Sequence, residues 1–226
     1  MKKFVFTFLF LTISNALYSQ VDTISVNPKY LEDQLFLNIS YNTFTSTPEG
    51  FLQNGFSFGV AGGFVKDIPF NKQRNFGMGL GVGYAYNTYI QNIVVTQEMG
   101  ISRFAVETSY DNNTYRTHSI EVPIEFRWRT STLEKYKFWR VYGGVTLGYV
   151  FDFSSKYVSE VGNVSDLRVP EIEKFQYGLS LSAGYGTWNF FVNYALSPFF
   201  EKDTYLESGE KLDMKTLRMG MAFYFF

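Results

Sequence analysis

Read with a period of two, the chain separates into eight segments in which large apolar residues alternate with small or polar ones. The first, 34–43, sets Leu35, Leu37, Ile39 and Tyr41 against Asn38, Ser40 and Asn42. The second, 55–66, sets Phe56, Phe58, Val60 and Phe64 against Ser57, Gly59, Ala61 and Gly63. The third, 75–92, is the plainest: Phe76, Met78, Leu80, Val82, Tyr84 and Tyr86 alternate with Gly77, Gly79, Gly81, Gly83 and Ala85. The fourth, 117–131, places Ile120, Val122, Ile124, Phe126 and Trp128 opposite Glu121, Pro123, Glu125, Arg127 and Arg129. In the fifth, 138–157, Trp139, Val141, Val145, Leu147, Tyr149, Phe151 and Phe153 share one phase, and Arg140, Thr146, Gly148 and Asp152 the other. The sixth (174–186), seventh (188–199) and eighth (213–226) repeat the pattern. Their apolar phases are Phe175 to Tyr185, Phe190 to Leu196, and Leu217 to Phe225.

Strict alternation over eight segments predicts an all-β chain folded as a closed, up-and-down antiparallel transmembrane barrel. An even strand number puts both termini on one side, expected to be periplasmic. The connections agree: those after the odd segments are about 11, 24, 16 and 13 residues, the rest about 8, 6 and 1, and long loops belong outside. The longest, 93–116, carries Asp111, Asn112 and Asn113 and reads as solvated.

Alternation alone does not say which face is outside, but volume does. An eight-stranded barrel is only just wide enough inside for side chains or one small ligand. Four to seven large apolar residues per segment do not fit there, whereas Gly, Ala and Ser do. The apolar phase therefore faces lipid. Trp128, Trp139 and Trp188 fall near the expected periplasmic ends, where an interfacial aromatic girdle sits. The chain ends in MGMAFYFF, like the aromatic last strands that resemble barrel-assembly signals, although Tyr224 and Phe226 fall in the lumen phase.

Fixing the faces puts charge inside. Glu121, Glu125, Arg127 and Arg129 line one side of the fourth segment, with Arg140 and Asp152 on the fifth. Arg218 lies on the eighth, across the barrel from the fourth. A lumen network is expected in which Arg127 and Arg218 pair Glu121 and Glu125, since an unpaired charge there costs several kcal/mol. Its first reading is a plug that stiffens the barrel; a selective path for small ions is the second. Pro123 poses a problem: a closed barrel has no edge to hide a missing N–H, so a bulge is the usual expectation. Yet the apolar phase runs unbroken from Val122 to Ile124.

The N-terminus bears on location. Lys2 and Lys3 precede the apolar run Phe4 to Ile13, then small and polar residues lead to Ser19 and Gln20. That is the order of a secretory signal peptide, too short to span a bilayer. The expected organisation is a signal peptide at 1–19, a short periplasmic lead-in at 20–33 and the barrel at 34–226.

Composition narrows the chemistry further. There is no cysteine, which excludes disulfides, thiol chemistry and a lipid anchor on cysteine. A formal charge of −1 gives no reason to expect nucleic acid. Phe, Tyr and Trp number 25, 17 and 3, yet mean hydropathy is only −0.10, as alternation requires. The sole histidine, His118, precedes Ser119, but neighbours on a strand point to opposite faces, so they form no nucleophile–base pair. The glycine-rich GMGLGVG at 77–83 alternates with large apolar residues and is a small-residue lumen face, not a phosphate loop. No enzyme activity, cofactor or metal is expected.

Several stretches also look familiar: KYLEDQ at 29–34, KDIPFNKQRNFGMGLGVGY at 66–84, IEVPIEFRWRTS at 120–131, YKFWRVYGG at 136–144 and FQYGLSLSAGYGTWNFFVNYALSP at 175–198. They resemble the PorT-like family of Bacteroidetes outer-membrane β-barrel proteins, loosely called porin-like. Glu121, Val122 and Pro123 are the best local mark, and the likeness covers essentially the whole mature chain. The resemblance implies a Gram-negative outer-membrane barrel. It also implies an accessory part in type IX protein secretion or envelope assembly, with lipid and secretion-machinery or envelope proteins as partners. The alternative is a small structural barrel or narrow porin-like channel with a charge-plugged lumen. A lipid-modifying enzyme ranks last.

Overall fold

A strand with one large apolar face and one small face closes most simply into a ring, because closure pairs every backbone N–H and C=O. The computed structural model describes residues 33–109, 111–130, 139–159 and 162–225; the expected signal peptide and nearly all of the lead-in lie outside them. They hold eleven strands: β1 (Gln34–Thr45), β2 (Phe58–Pro69), β3 (Phe76–Ile90), β4 (Ile93–Glu98), β5 (Ile101–Val106), β6 (Asn112–Arg129), β7 (Trp139–Ser159), β8 (Gly162–Arg168), β9 (Phe175–Tyr185), β10 (Trp188–Ala195) and β11 (Lys215–Phe225). Eight of these, β1-β2-β3-β6-β7-β9-β10-β11, form a closed antiparallel barrel. The ring shuts where β1 pairs with β11, from Leu35↔Phe225 to Thr45↔Lys215. Among the described residues no helix is long and apolar enough to cross a membrane.

The eight barrel strands coincide with the eight alternating segments, and the apolar phase faces outward. Leu35, Ile39, Val82, Leu147, Leu181 and Phe190 are all exposed. The aromatics of this face form two levels. At the end holding the termini, Trp128, Trp139 and Trp188 are exposed, with Trp139 5.4 Å from Tyr185 and Trp188 5.2 Å from Phe223. At the loop-bearing end stand Tyr41 with Phe56, Phe58 with Tyr86, Tyr84 with His118, and Tyr149 with Phe175. From His118 to Trp128 along β6, a rise of about 3.3 Å per residue and a tilt of about 40° span about 25 Å, the height of an outer-membrane apolar band.

The structure corrects two sequence expectations. The segment 93–116, read as solvated, instead carries the hairpin β4–β5 and the start of β6. Ile93, Val94, Val95 and Phe104 are buried, and so is Asn113. Asn113 Nδ2, Tyr115 Oη and Gln91 Nε2 all donate to the Ile93 carbonyl, at 2.6, 2.7 and 3.0 Å, and fix the root of the hairpin. Period-two reading missed it because each strand of the hairpin is only six residues long.

The second correction is on β7. The ladder to β6 runs Ser119↔Val150 and then His118↔Asp152, so Phe151 is an extra residue, a β-bulge. Alternation restarts one residue later. Phe153, expected outside, is buried in the lumen. Asp152, expected inside, is carried to the outer wall beside His118.

Pro123 is accommodated without a bulge. Its pairing with Thr146 on β7 is intact. Toward β3 the ladder goes from Leu80↔Ile124 directly to Gly83↔Glu121, skipping Gly81–Pro123 and Val82–Val122 without changing register. A missing N–H costs ladder bonds on one side only. A Cβ at Gly81 would stand 3.0 Å from the proline ring, so the glycine gives the ring its room.

Candidate functional site

The lumen gathers buried charge, and its contents form three layers. Nearest the termini lies a buried ionic cluster. Arg127 on β6 donates from Nε and Nη2 to Glu125 Oε2 at 3.0 and 2.9 Å, and from Nη1 to Gln34 at 3.3 Å and Asp67 at 3.4 Å. Its guanidinium lies over the Tyr142 ring at 4.6 Å and the Tyr224 ring at 5.9 Å. Arg129 donates to Asp67 at 2.5 Å and through Nε to the Arg74 carbonyl at 2.6 Å, which ties the β2–β3 turn across this end. Arg140 faces Tyr224 at 5.6 Å. All three arginines are fully buried. Gly79 makes the space, since a Cβ there would collide with the Arg127 guanidinium.

At mid-height a chain of bonds crosses the lumen. Arg218 on β11 donates from Nη1 to Glu121 on β6 at 2.7 Å, and from Nη2 to Asn193 on β10 at 3.0 Å. Asn193 in turn donates to Thr146 on β7 at 3.3 Å. The bonds lie between two small cavities, about 50 Å³ toward the termini and about 30 Å³ toward the loops. Each has room for a few waters and little else.

The third layer is aromatic and apolar. Phe44, Tyr89, Tyr115 and Phe153 point inward from β1, β3, β6 and β7, and Phe199 and Phe200 are pressed among them. Phe44 and Phe199 stand 5.0 Å apart edge to face, as do Phe199 and Phe200; Phe153 and Phe199 stand at 5.5 Å. Above them Ile93, Val95, Phe104, Val169, Ile172, Leu206, Leu212 and Met214 continue the same core. The loops thus fold into a cap that stoppers the barrel.

Of the residues singled out in the sequence, Glu121, Glu125, Arg127, Arg129, Arg140 and Arg218 all lie in the lumen, in two groups. Arg129 is held by Asp67, and Asp152 belongs to neither group: the bulge turns it out to an ion pair with Arg168. Asp67, Gln34 and the aromatic stopper were missed. The phase carried their signal: Gln34 and Tyr89 fall in the lumen register of their segments, and Phe44, Asp67 and Tyr115 do so once the segments are extended by one or two residues. His118 and Ser119 stand on opposite faces, His118 Nδ1 2.6 Å from the Tyr84 hydroxyl on the outer wall and Ser119 buried in the lumen. Among the described residues no group of three or more His, Asp or Glu is gathered for a metal.

No curated protein matches the sequence. The family model of the outer membrane protein beta-barrel domain matches residues 18–201, from before the first strand to just past β10. With that match spanning most of the chain and a closed eight-stranded barrel beneath it, the chain belongs to the outer membrane protein beta-barrel domain family.

Proposed function

We propose that this protein is a sealed, non-enzymatic barrel that works through its loop-built cap, as an accessory component of protein export or envelope assembly of the PorT-like kind. The observation that carries the reading is the double closure of the lumen, by the Arg127–Glu125–Asp67 cluster at one end and the Phe199–Phe200 stopper at the other. A barrel closed by a packed core offers solutes no route, whereas a cap with its own core offers a fixed surface to another protein. In this reading residues 1–19 are a secretory signal, both termini are periplasmic and the cap faces outward. The short β2–β3 and β9–β10 turns at the terminal end support that orientation.

The test is the secreted and surface proteome of a strain lacking this chain. Accumulation of exported proteins in the periplasm is the expected result. An unchanged secretome rules out the export role and leaves a structural barrel.

A further inference from the structure

Just beyond the loop-side aromatic level, the outer wall carries a row of cations. On β6, Arg116 alternates with Tyr115 and Thr117, both buried in the lumen, so its side chain leaves on the outer face. On β7, Ser155 pairs with Tyr115 and is buried, which sends Lys156 outward. Ser154 pairs with Arg116 on one side and Arg168 on the other. Three cations therefore share one patch over β6, β7 and β8, with neighbouring strands about 4.8 Å apart. Among the described residues, Asp152 lies in the patch, and Arg168 holds it.

Height on the wall says what this patch meets. His118, packed against Tyr86 at 5.0 Å and Phe151 at 6.1 Å, belongs to the aromatic level. Arg116 is two residues further along β6, about 5 Å farther from the membrane centre at a rise of about 3.3 Å per residue on a tilted strand. That is headgroup depth, where cations beside an aromatic belt meet lipid phosphate. Guanidinium groups also take phosphate oxygens in pairs.

We infer that Arg116, Lys156 and Arg168 form a binding site for the phosphate groups of an outer-leaflet glycolipid, whose chains lie against Tyr84, Tyr86 and Phe151 below. The outer-leaflet assignment rests on the cap facing outward, as proposed above. Asp152 tempers the site by occupying Arg168.

The experiment has two arms. In the first, the barrel is reconstituted in phosphatidylethanolamine nanodiscs with and without lipid A, and the lipid it retains is measured by native mass spectrometry. Retention of lipid A over phosphatidylethanolamine is expected, falling roughly fivefold for each cation removed in R116Q, K156Q and R168Q. It should rise in D152N and stay unchanged in K66Q/K72Q at the other end. Equal retention of both lipids, or a triple variant that retains lipid A like the wild type, overturns the site. In the second arm, the cysteine-free chain carrying Ser208→Cys in its exposed loop is labelled on whole cells with an impermeant maleimide. Labelling without permeabilisation is expected. Labelling only after permeabilisation overturns the outward cap, and with it the outer-leaflet source of the lipid.

Discussion

Arg218 reaches the opposite wall of the barrel and donates to Glu121 at 2.7 Å. β11 and β6 are four strands apart in either direction around the ring, so this pair fastens the two halves across their diameter. Neither residue is more than 15% exposed, which makes each the other's main source of electrostatic compensation. Replacing Glu121 and Glu125 together with Gln leaves Arg218 and Arg127 without their glutamate partners. The cost should be about 3 kcal/mol or more, the penalty for uncovering a buried charge. Adding Arg218→Met to E121Q should recover part of it. Urea unfolding in detergent micelles measures both, and an unchanged midpoint for the double Gln variant would sink the idea that the pairs hold the barrel together.

Two lumen glycines that look alike in sequence should behave differently. A Cβ at Gly79 collides with the Arg127 guanidinium, whereas one at Gly148 meets nothing closer than 3.7 Å. Gly79→Ala should cost about 1–3 kcal/mol, the range for overpacking a filled interior, and disturb the Arg127–Glu125 bonds. Gly148→Ala should be close to neutral. The same unfolding assay decides it; equal effects at the two sites would mean that Arg127 moves aside without cost.

The bulge gives a prediction of the opposite kind, a deletion that does little. Removing Phe151 leaves Val150 facing in and Asp152 facing out, so every residue beyond keeps its face and its partner on β6. Removing Val145 shifts the phase of everything up to the bulge, and a one-residue slip exchanges the two faces of a strand. The Phe151 deletion should still give a heat-modifiable folded band on a gel, weakened only because Tyr84 and His118 no longer have the Phe151 ring beside them. The Val145 deletion should give none.

The barrel was legible because lipid outside and a narrow lumen inside impose a period of two on every strand. That rule carried the face of Glu121, Arg127 and Arg218. It failed at Phe153 and Asp152, because a bulge adds one residue without leaving a mark in the pattern. It failed again over 93–116, where Ile93, Val95 and Phe104 bury against the cap and not against a sheet face, so no long alternation was there to read. Asp67 shows a different limit. Its place in the ionic cluster depends on the registers of β2 on β3 and of β3 on β6, which set Asp67 level with Gly79 and Gly79 level with Glu125, and period-two alternation does not reveal register.

With the two ends of the lumen sealed independently, as proposed above, breaking the middle should not open it. Glu121→Ala joins two cavities that together are still shut by the Arg127 cluster and by the aromatic stopper, so the variant should carry no current in a planar bilayer. Discrete current steps from the wild type or from this variant would overturn the sealed-lumen reading and favour a narrow channel. Weakening the stopper should separate cap from barrel. Phe199→Ala with Phe200→Ala removes two buried rings at about 3–5 kcal/mol each, and neither residue lies in the barrel's ladder. Loops around 200–212 should then become sensitive to protease while the heat-modifiable barrel band persists. Loss of that band would instead mean that cap and barrel fold as one cooperative unit, with the stopper holding the strands as much as closing them.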